Sequence, residues 1–171
     1  MKTLYLLRHA KSDWSDDGLS DHDRPLAARG EKACPAMGRY LADHGFVPDR
    51  ILCSTARRAR DTLARMASQW DRTPPIDYEE ALYLASPGRA LRRVAAAPDE
   101  AASLMVVGHN PGLNQVLERL AVHGDDEARR NAAEKFPTCA FAAIELPIDR
   151  WSEVEGAEGT LIHFTTPRTL R

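Results

Sequence analysis

Aromatic residues are scarce in this sequence, at 6% of 171 residues, and the formal net charge is only −2. A nucleic-acid-binding surface wants a basic stripe interleaved with aromatics, and neither is present. The same weak charge gives no global pull toward an anionic membrane, so any preference for anions must be local. Cysteine is rare too: Cys34, Cys53 and Cys139 have no paired spacing and no Cys-x-x-Cys. That excludes a disulfide framework, and Cys34 and Cys53 read as buried free thiols of a reducing compartment. No hydrophobic run is long enough for a membrane span, and the N-terminal apolar stretch is too short for a signal peptide. The expectation is a cytoplasmic protein. Repeats, linkers and low-complexity tracts are missing, which predicts one domain over residues 1–171. The six histidines show no His-x-x-x-His spacing, so neither metal nor cofactor is implied.

What the sequence does contain is a set of short apolar runs separated by helical patterns. Leu4 to Leu7, Ile51 to Cys53 and Leu104 to Val107 read as buried strands. Ile76 to Tyr78 reads as a minor strand, Cys139 to Leu146 as a late one, and Leu161 to Thr165 as a strand at an edge. Between them, residues 27–44 are predicted helical, with Gly45 just past the end. Pro35 lies inside that pattern and predicts a kink or a later start. Ser54-Thr55 offers N-cap hydroxyls to a helix that places Ala59, Leu63, Met66 and Trp70 on one face. Ser86-Pro87 is a cap and first-turn pair for another helix. Asn110-Pro111 opens a third, carrying Leu113, Val116, Leu117 and Leu120. Residues 124–136 are polar and read as a solvated turn or short helix. Strands alternating with helices predict an α/β fold: a mostly parallel sheet covered by helices on both faces.

Ligands of open α/β sheets bind beyond the carboxyl ends of the strands. Arg8-His9 ends the first strand and Gly108-His109 the third. The strand at Ile51 to Cys53 leads to Arg57, Arg58 and Arg60. Two histidines and a choice of arginines therefore converge on one rim, beside helix N-termini that suit an anion. Arginine's planar fork matches phosphate oxygens. The loop from Lys11 to Pro25 is long for a strand-to-helix connection, as functional loops often are.

These motifs carry a resemblance. Leu7-Arg8-His9-Ala10-Lys11-Ser12 is similar to the Arg-His-Gly signature of the histidine phosphatase superfamily, with alanine in place of glycine. Ser54 to Thr62, as Ser-x-x-x-Arg-Ala-x-x-Thr, resembles its second arginine motif, and Val107-Gly108-His109-Asn110-Pro111 its second histidine motif. Arg24-Pro25-Leu26 with Gly30, and Pro137-Thr138 with the strand that follows, resemble segments of the small SixA-like phosphohistidine phosphatases. The resemblance runs from about Leu4 to Leu146. It implies a three-layer α/β/α fold of the phosphoglycerate-mutase-like kind. It also implies a metal-independent phosphatase that works through a phosphohistidine intermediate. His9 is then the nucleophile. Arg8 and Arg58 clamp the phosphoryl oxygens and keep His9 neutral. His109 is the second phosphate-binding histidine, against the alternative of a ring that caps backbone. Arg57 and Arg60 are read as a solvated helix face.

Arg24 either reaches the phosphate or holds the loop by a surface ion pair. Ser12 and Ser15 can contact substrate, but capping or loop hydrogen bonds are the preferred reading. His22, His44, His123 and His163 take structural readings. Lys11 stands where mutases carry an acidic residue, which disfavours a mutase. Superfamily members that cleave alkyl esters use a carboxylate to protonate the leaving oxygen. Glu79, Glu80 and Asp13 are the candidates, and solvated carboxylates are the preferred reading for all three. A protonated imidazole leaves without such help, so the expected substrate is phosphohistidine on a protein. The alternatives are a phosphomonoesterase for a small phosphorylated metabolite, which a carboxylate close to His9 would favour, or a phospho-ligand binding module without turnover. Oligomeric state, partner and pathway are not encoded legibly.

Overall fold

The computed structural model describes residues 1–170. Its centre is β1 (Lys2–Arg8), which pairs in parallel with β4 (Ser103–Gly108) on one side and antiparallel with β6 (Phe141–Leu146) on the other. Outside β4 lie β2 (Arg50–Ser54) and then β3 (Ile76–Glu79), both parallel. Outside β6 lies β7 (Gly159–Thr165), antiparallel to it, and then β5 (Ala121–Gly124), parallel to β7. The seven-stranded order is β3-β2-β4-β1-β6-β7-β5. Only β6 runs against the rest, so the mostly parallel sheet is borne out.

Side chains of β1 alternate between two cores, as the pleat requires. Leu4 and Leu6 join Val106, Ile144 and residues of α3 (Pro87–Ala95) and α4 (Gly112–Leu120). Tyr5 and Leu7 join Val107, Phe141 and residues of α1 (Ala28–Asp43) and α2 (Arg57–Ala67). Both faces are thus covered, giving the three-layer α/β/α arrangement. The fifth helix, α5 (Asp126–Glu134), is capped by the Asp125 side chain.

Several local expectations are met. Ser86 caps α3 by accepting from Arg89 N–H, with Pro87 in the first turn. Gly45 follows the α1 cap at φ +74°, and the Phe46 N–H returns to the Leu41 carbonyl at 2.8 Å, a Schellman closure. Others need correction. Pro35 does not delay α1, which begins at Ala28 and runs through it. Ser54 and Thr55 do not cap α2: Ala56 holds that position with no side-chain cap, and both hydroxyls point to histidines instead. β7 is not an edge strand, because β5 covers it.

Two glycines set how closely the layers approach the site. A Cβ on Gly30 would stand 2.2 Å from the Lys11 carbonyl oxygen, so only glycine lets α1 begin against the chain just past His9. A Cβ on Gly38 would stand 2.3 Å from the Met66 carbonyl oxygen, and its absence lets α1 cross α2 closely.

Candidate active site

The pleat and the parallel register bring the predicted residues to one rim. Arg8 is the last residue of β1 and pairs across to Gly108 at the end of β4. The next residues, His9 and His109, are both buried, with ring centroids 5.2 Å apart. Arg58 sits in the first turn of α2, directly after β2, and is buried as well. The four residues read as one group in the sequence are one group in space.

His9 is fixed through its backbone and its ring. Its N–H donates to the Gly108 carbonyl at 3.1 Å, and its carbonyl accepts from Cys139 N–H at 3.0 Å. Ring Nδ1 lies 2.8 Å from the Ala10 carbonyl oxygen, which can only accept, so Nδ1 carries the proton. Nε2 is left with its lone pair. The following residue is anchored too: Ala10 N–H donates to Thr62 Oγ1 at 2.9 Å, and Thr62 donates back to the Arg58 carbonyl at 2.6 Å. Thr62 therefore ties the first turn of α2 to the histidine loop.

The imidazoles are held neutral. His9 is pushed down to about 4, first by burial and then by the charges of Arg58 and Arg8. The expectation credited the arginines, but desolvation is the larger cause. His109 is pushed down to about 3 by burial, with His9 and Arg58 adding to it. Arg8 is itself drawn below its ordinary value by burial and by Arg58. Its Nη1 donates to the Phe136 carbonyl at 3.1 Å, while its Nε is buried with no hydrogen-bond partner among the described residues.

The long loop supplies what sequence reading missed. A 3₁₀ turn at Asp21–Asp23 places Asp21 against Arg58. Arg58 Nη1 donates to the Asp21 carbonyl at 2.7 Å, and Nη2 to its Oδ2 at 3.0 Å. Tyr83 donates a hydrogen bond to the same Oδ2. These partners, Tyr83 foremost and then Arg58, hold the Asp21 carboxyl below the usual carboxylate range. His22 bonds Thr55 Oγ1 at 2.9 Å and meets the Tyr83 ring edge-on, so it belongs to the wall of the site rather than to a bland surface. Nothing local in the sequence links Asp21 to Tyr83. Only the loop length gave a signal.

The remaining candidates fall outside this cluster or at its margin. Arg24 stacks on exposed Trp14, with its guanidinium carbon 3.8 Å from the ring centre. Its Nε is 3.7 Å from Asp21 Oδ1, and its Nε and Nη1 are buried with no hydrogen-bond partners among the described residues. Ser15 is exposed, and its N–H donates to the Asp13 carboxylate at 2.8 Å, a loop role for both. Ser12 is buried in a bridge to Leu26. Lys11 has an exposed side chain, and its carbonyl accepts from Ala27 N–H at 2.9 Å. Glu79 is not a free carboxylate: it pairs with Arg93 at 2.7 Å. Glu80 is exposed, as are Arg57 and Arg60. Among the described residues, no three histidine, cysteine or carboxylate side chains gather as a metal ion requires.

Comparison with known proteins agrees with this geometry. Residues 4–83 match the model of the histidine phosphatase superfamily (branch 1). An uncharacterized protein of Mycobacterium tuberculosis is 38% identical over 164 residues, spanning 95% of this chain and 100% of its own length. The structure of a protein assigned as phosphohistidine phosphatase SixA from Agrobacterium tumefaciens is 31% identical, with a TM-score of 0.81 over 97% of this chain and 98% of that one. A second protein so assigned, from Nakamurella multipartitia, is 29% identical, with a TM-score of 0.86 over 97% and 96% of the two chains. With its arginine–histidine strand ends, its two-histidine pocket and these relatives, the chain belongs to the histidine phosphatase superfamily, in the SixA-like branch, and is a phosphatase.

Proposed function

We propose that this phosphatase removes the phosphoryl group from phosphohistidine carried on a protein, with His9 as the nucleophile. The reading rests on one observation: the carboxylate that the long loop sets against Arg58 is tied up as an anion. Asp21 accepts from Arg58 and Tyr83, which favour its ionised form. A general acid needs the opposite, a carboxyl whose proton is retained near neutral pH. An alkoxide leaving group would lack a proton donor here. A phosphorylated imidazole leaves protonated on its own ring and needs none.

In the first step His9 Nε2 attacks phosphorus, while Nδ1–H stays on the Ala10 carbonyl and steadies the ring as positive charge develops. The bond to the substrate imidazole breaks, and the imidazole departs neutral. Arg8, Arg58 and His109 face the phosphoryl oxygens and offset their charge. Water then attacks the phosphohistidine of the enzyme, releasing phosphate and restoring neutral His9. Support for the substrate class also comes from the Agrobacterium relative, whose assigned activity is that of a phosphohistidine phosphatase.

One observation favours the rival reading, a phosphomonoesterase for a small metabolite: Asp21 does bring a carboxylate to the pocket. Phosphate release decides between them. A phosphohistidine protein, p-nitrophenyl phosphate and common sugar phosphates are compared in the presence of chelator, with wild type and His9→Ala. Preference for phosphohistidine, lost in the variant, is the expected result. Preference for an alkyl ester overturns the substrate class and makes Asp21 the acid to test.

A further inference from the structure

The ring of His109 has a defined partner on each nitrogen. Nε2 lies 2.8 Å from Ser54 Oγ, and Nδ1 lies 3.4 Å from Arg58 Nη2. A guanidinium has no lone pair to offer and only donates. Nδ1 is therefore the accepting nitrogen, and Nε2 carries the ring proton and donates it to Ser54. The hydroxyl is well placed to receive it. Ser54 is fully buried at the end of β2, and its Oγ also accepts from Ala56 N–H at 3.2 Å, which fixes it in the turn leading to α2.

We propose that Ser54 is a positioning residue: it holds His109 in the tautomer whose Nδ1 lone pair is turned to Arg58 Nη2, so an oxyanion that takes this Nη2–H for itself enters together with a proton on Nδ1. The inference rests on the reading of this pocket as the phosphoryl site. Its physical basis is simple. A phosphoryl oxygen and an unprotonated ring nitrogen are both acceptors and repel unless a proton lies between them. When a dianion binds, one proton is taken from solution onto Nδ1; when phosphate leaves, it is released. Ser54 thereby couples oxyanion affinity to pH without touching the oxyanion.

The groups facing His109 are His9 and Arg8 from β1 and its end, Arg58 from α2, Asp21 from the loop, and Tyr83 against the ring. Near neutral pH Asp21 stays ionised and Tyr83 keeps its proton, and a guanidinium has no lone pair to accept one, so only the two histidines can take up the proton. His9 also has a lone pair on this space, and the decisive measurement removes it.

Sulfate is the probe, because it remains a dianion and brings no proton of its own. Its affinity is measured from about pH 5.5 to pH 8 in His9→Ala, and the nitrogen shifts of His109 are read by NMR with and without sulfate. The expected result is an Nε2–H ring in free protein, a protonated ring with sulfate at the acid end of the range, and affinity that rises as pH falls, by up to about tenfold per unit. Ser54→Ala, made in the His9→Ala background, frees the ring to adopt the Nδ1–H tautomer, which donates while neutral, and the pH slope flattens; Ser54→Thr restores it. An Nδ1–H ring in free wild type overturns the role of Ser54, even if Ser54→Ala does not fold. A pH-independent affinity in His9→Ala overturns the proton coupling. Failure to bind sulfate at any pH overturns the phosphoryl-site reading and the coupling with it, while the tautomer of free His109 still decides the part of Ser54.

Discussion

Asp21 holds Arg58 at two points, the backbone carbonyl at 2.7 Å and the carboxylate at 3.0 Å. The loop thereby orients a cation that the helix alone would leave free to swing. Side-chain entropy is the cost of ordering an arginine, and two fixed acceptors meet it before substrate arrives. Asp21→Asn should keep the carbonyl contact, weaken the charged one, and lower kcat/KM by about tenfold, mainly through KM. Equal losses on phosphohistidine and on an alkyl ester are expected. A loss confined to the alkyl ester would instead identify Asp21 as a proton donor.

Arg58→Lys should not be tolerated. A lysine ammonium is a single point that cannot meet the Asp21 carbonyl, its carboxylate and a phosphoryl group together. A fall in kcat/KM on the order of 10²-fold is expected, with unchanged circular dichroism. Wild-type activity in this variant would remove the arginine from the phosphate clamp.

His9→Ala should abolish turnover, by about 10³-fold or more, without unfolding the chain. Wild type quenched in alkaline denaturant should carry a phosphorylated histidine, stable to base and labile to acid, that the variant lacks. A labelled phosphoenzyme in the variant would place the nucleophile elsewhere.

Thr62→Val tests the tie between the histidine loop and α2. The variant keeps the shape and removes the acceptor for Ala10 N–H, which is left buried and unpaired. A stability loss of about 1–3 kcal/mol is expected from denaturant midpoints, with a drop in kcat as His9 loses its support. An unchanged midpoint would show that the loop finds another acceptor.

The two neutral histidines predict the pH dependence of stability. In the unfolded chain a histidine takes its proton near 6.5; folded, His9 does so at about 4 and His109 at about 3. Between these limits the unfolded state binds more protons, so stability rises with pH. It is fully present above about pH 6.5 and is lost progressively as pH falls toward 4 and then 3. Urea midpoints of wild type should decline over that window more steeply than those of His9→Asn. Parallel declines would mean that His9 carries no such linkage.

Much of this was legible in the sequence, for a physical reason. Arg8, His9 and His109 directly end apolar runs, and parallel pairing must place such ends on one rim. Arg58 is one turn into the helix after a third run. What was illegible depends on contacts far apart in the chain. Asp21 and Tyr83 are 62 residues apart and meet only in the fold. Ser54 looked like a helix cap because its type suits one, and its preference yielded to a buried histidine. β5 escaped notice because only Ala121 of its four residues is buried, leaving no alternation to read. The direction of β6 is not written in its apolar pattern at all.

That reversal has a consequence for how the site tolerates change. Running against its neighbours, β6 begins where they end, so the chain entering it arrives at the chemical rim. It serves the site there through main-chain groups: the Phe136 carbonyl takes Arg8 and Asn110, and Cys139 N–H bridges the Arg8 and His9 carbonyls. Peptide groups are common to every amino acid. This flank can therefore accept side-chain replacement wherever backbone path and packing survive, whereas the flank built from Ser54, Arg58 and Thr62 depends on particular side chains. A library varied on the first flank should yield active phosphatases with altered surfaces around an unaltered catalytic floor.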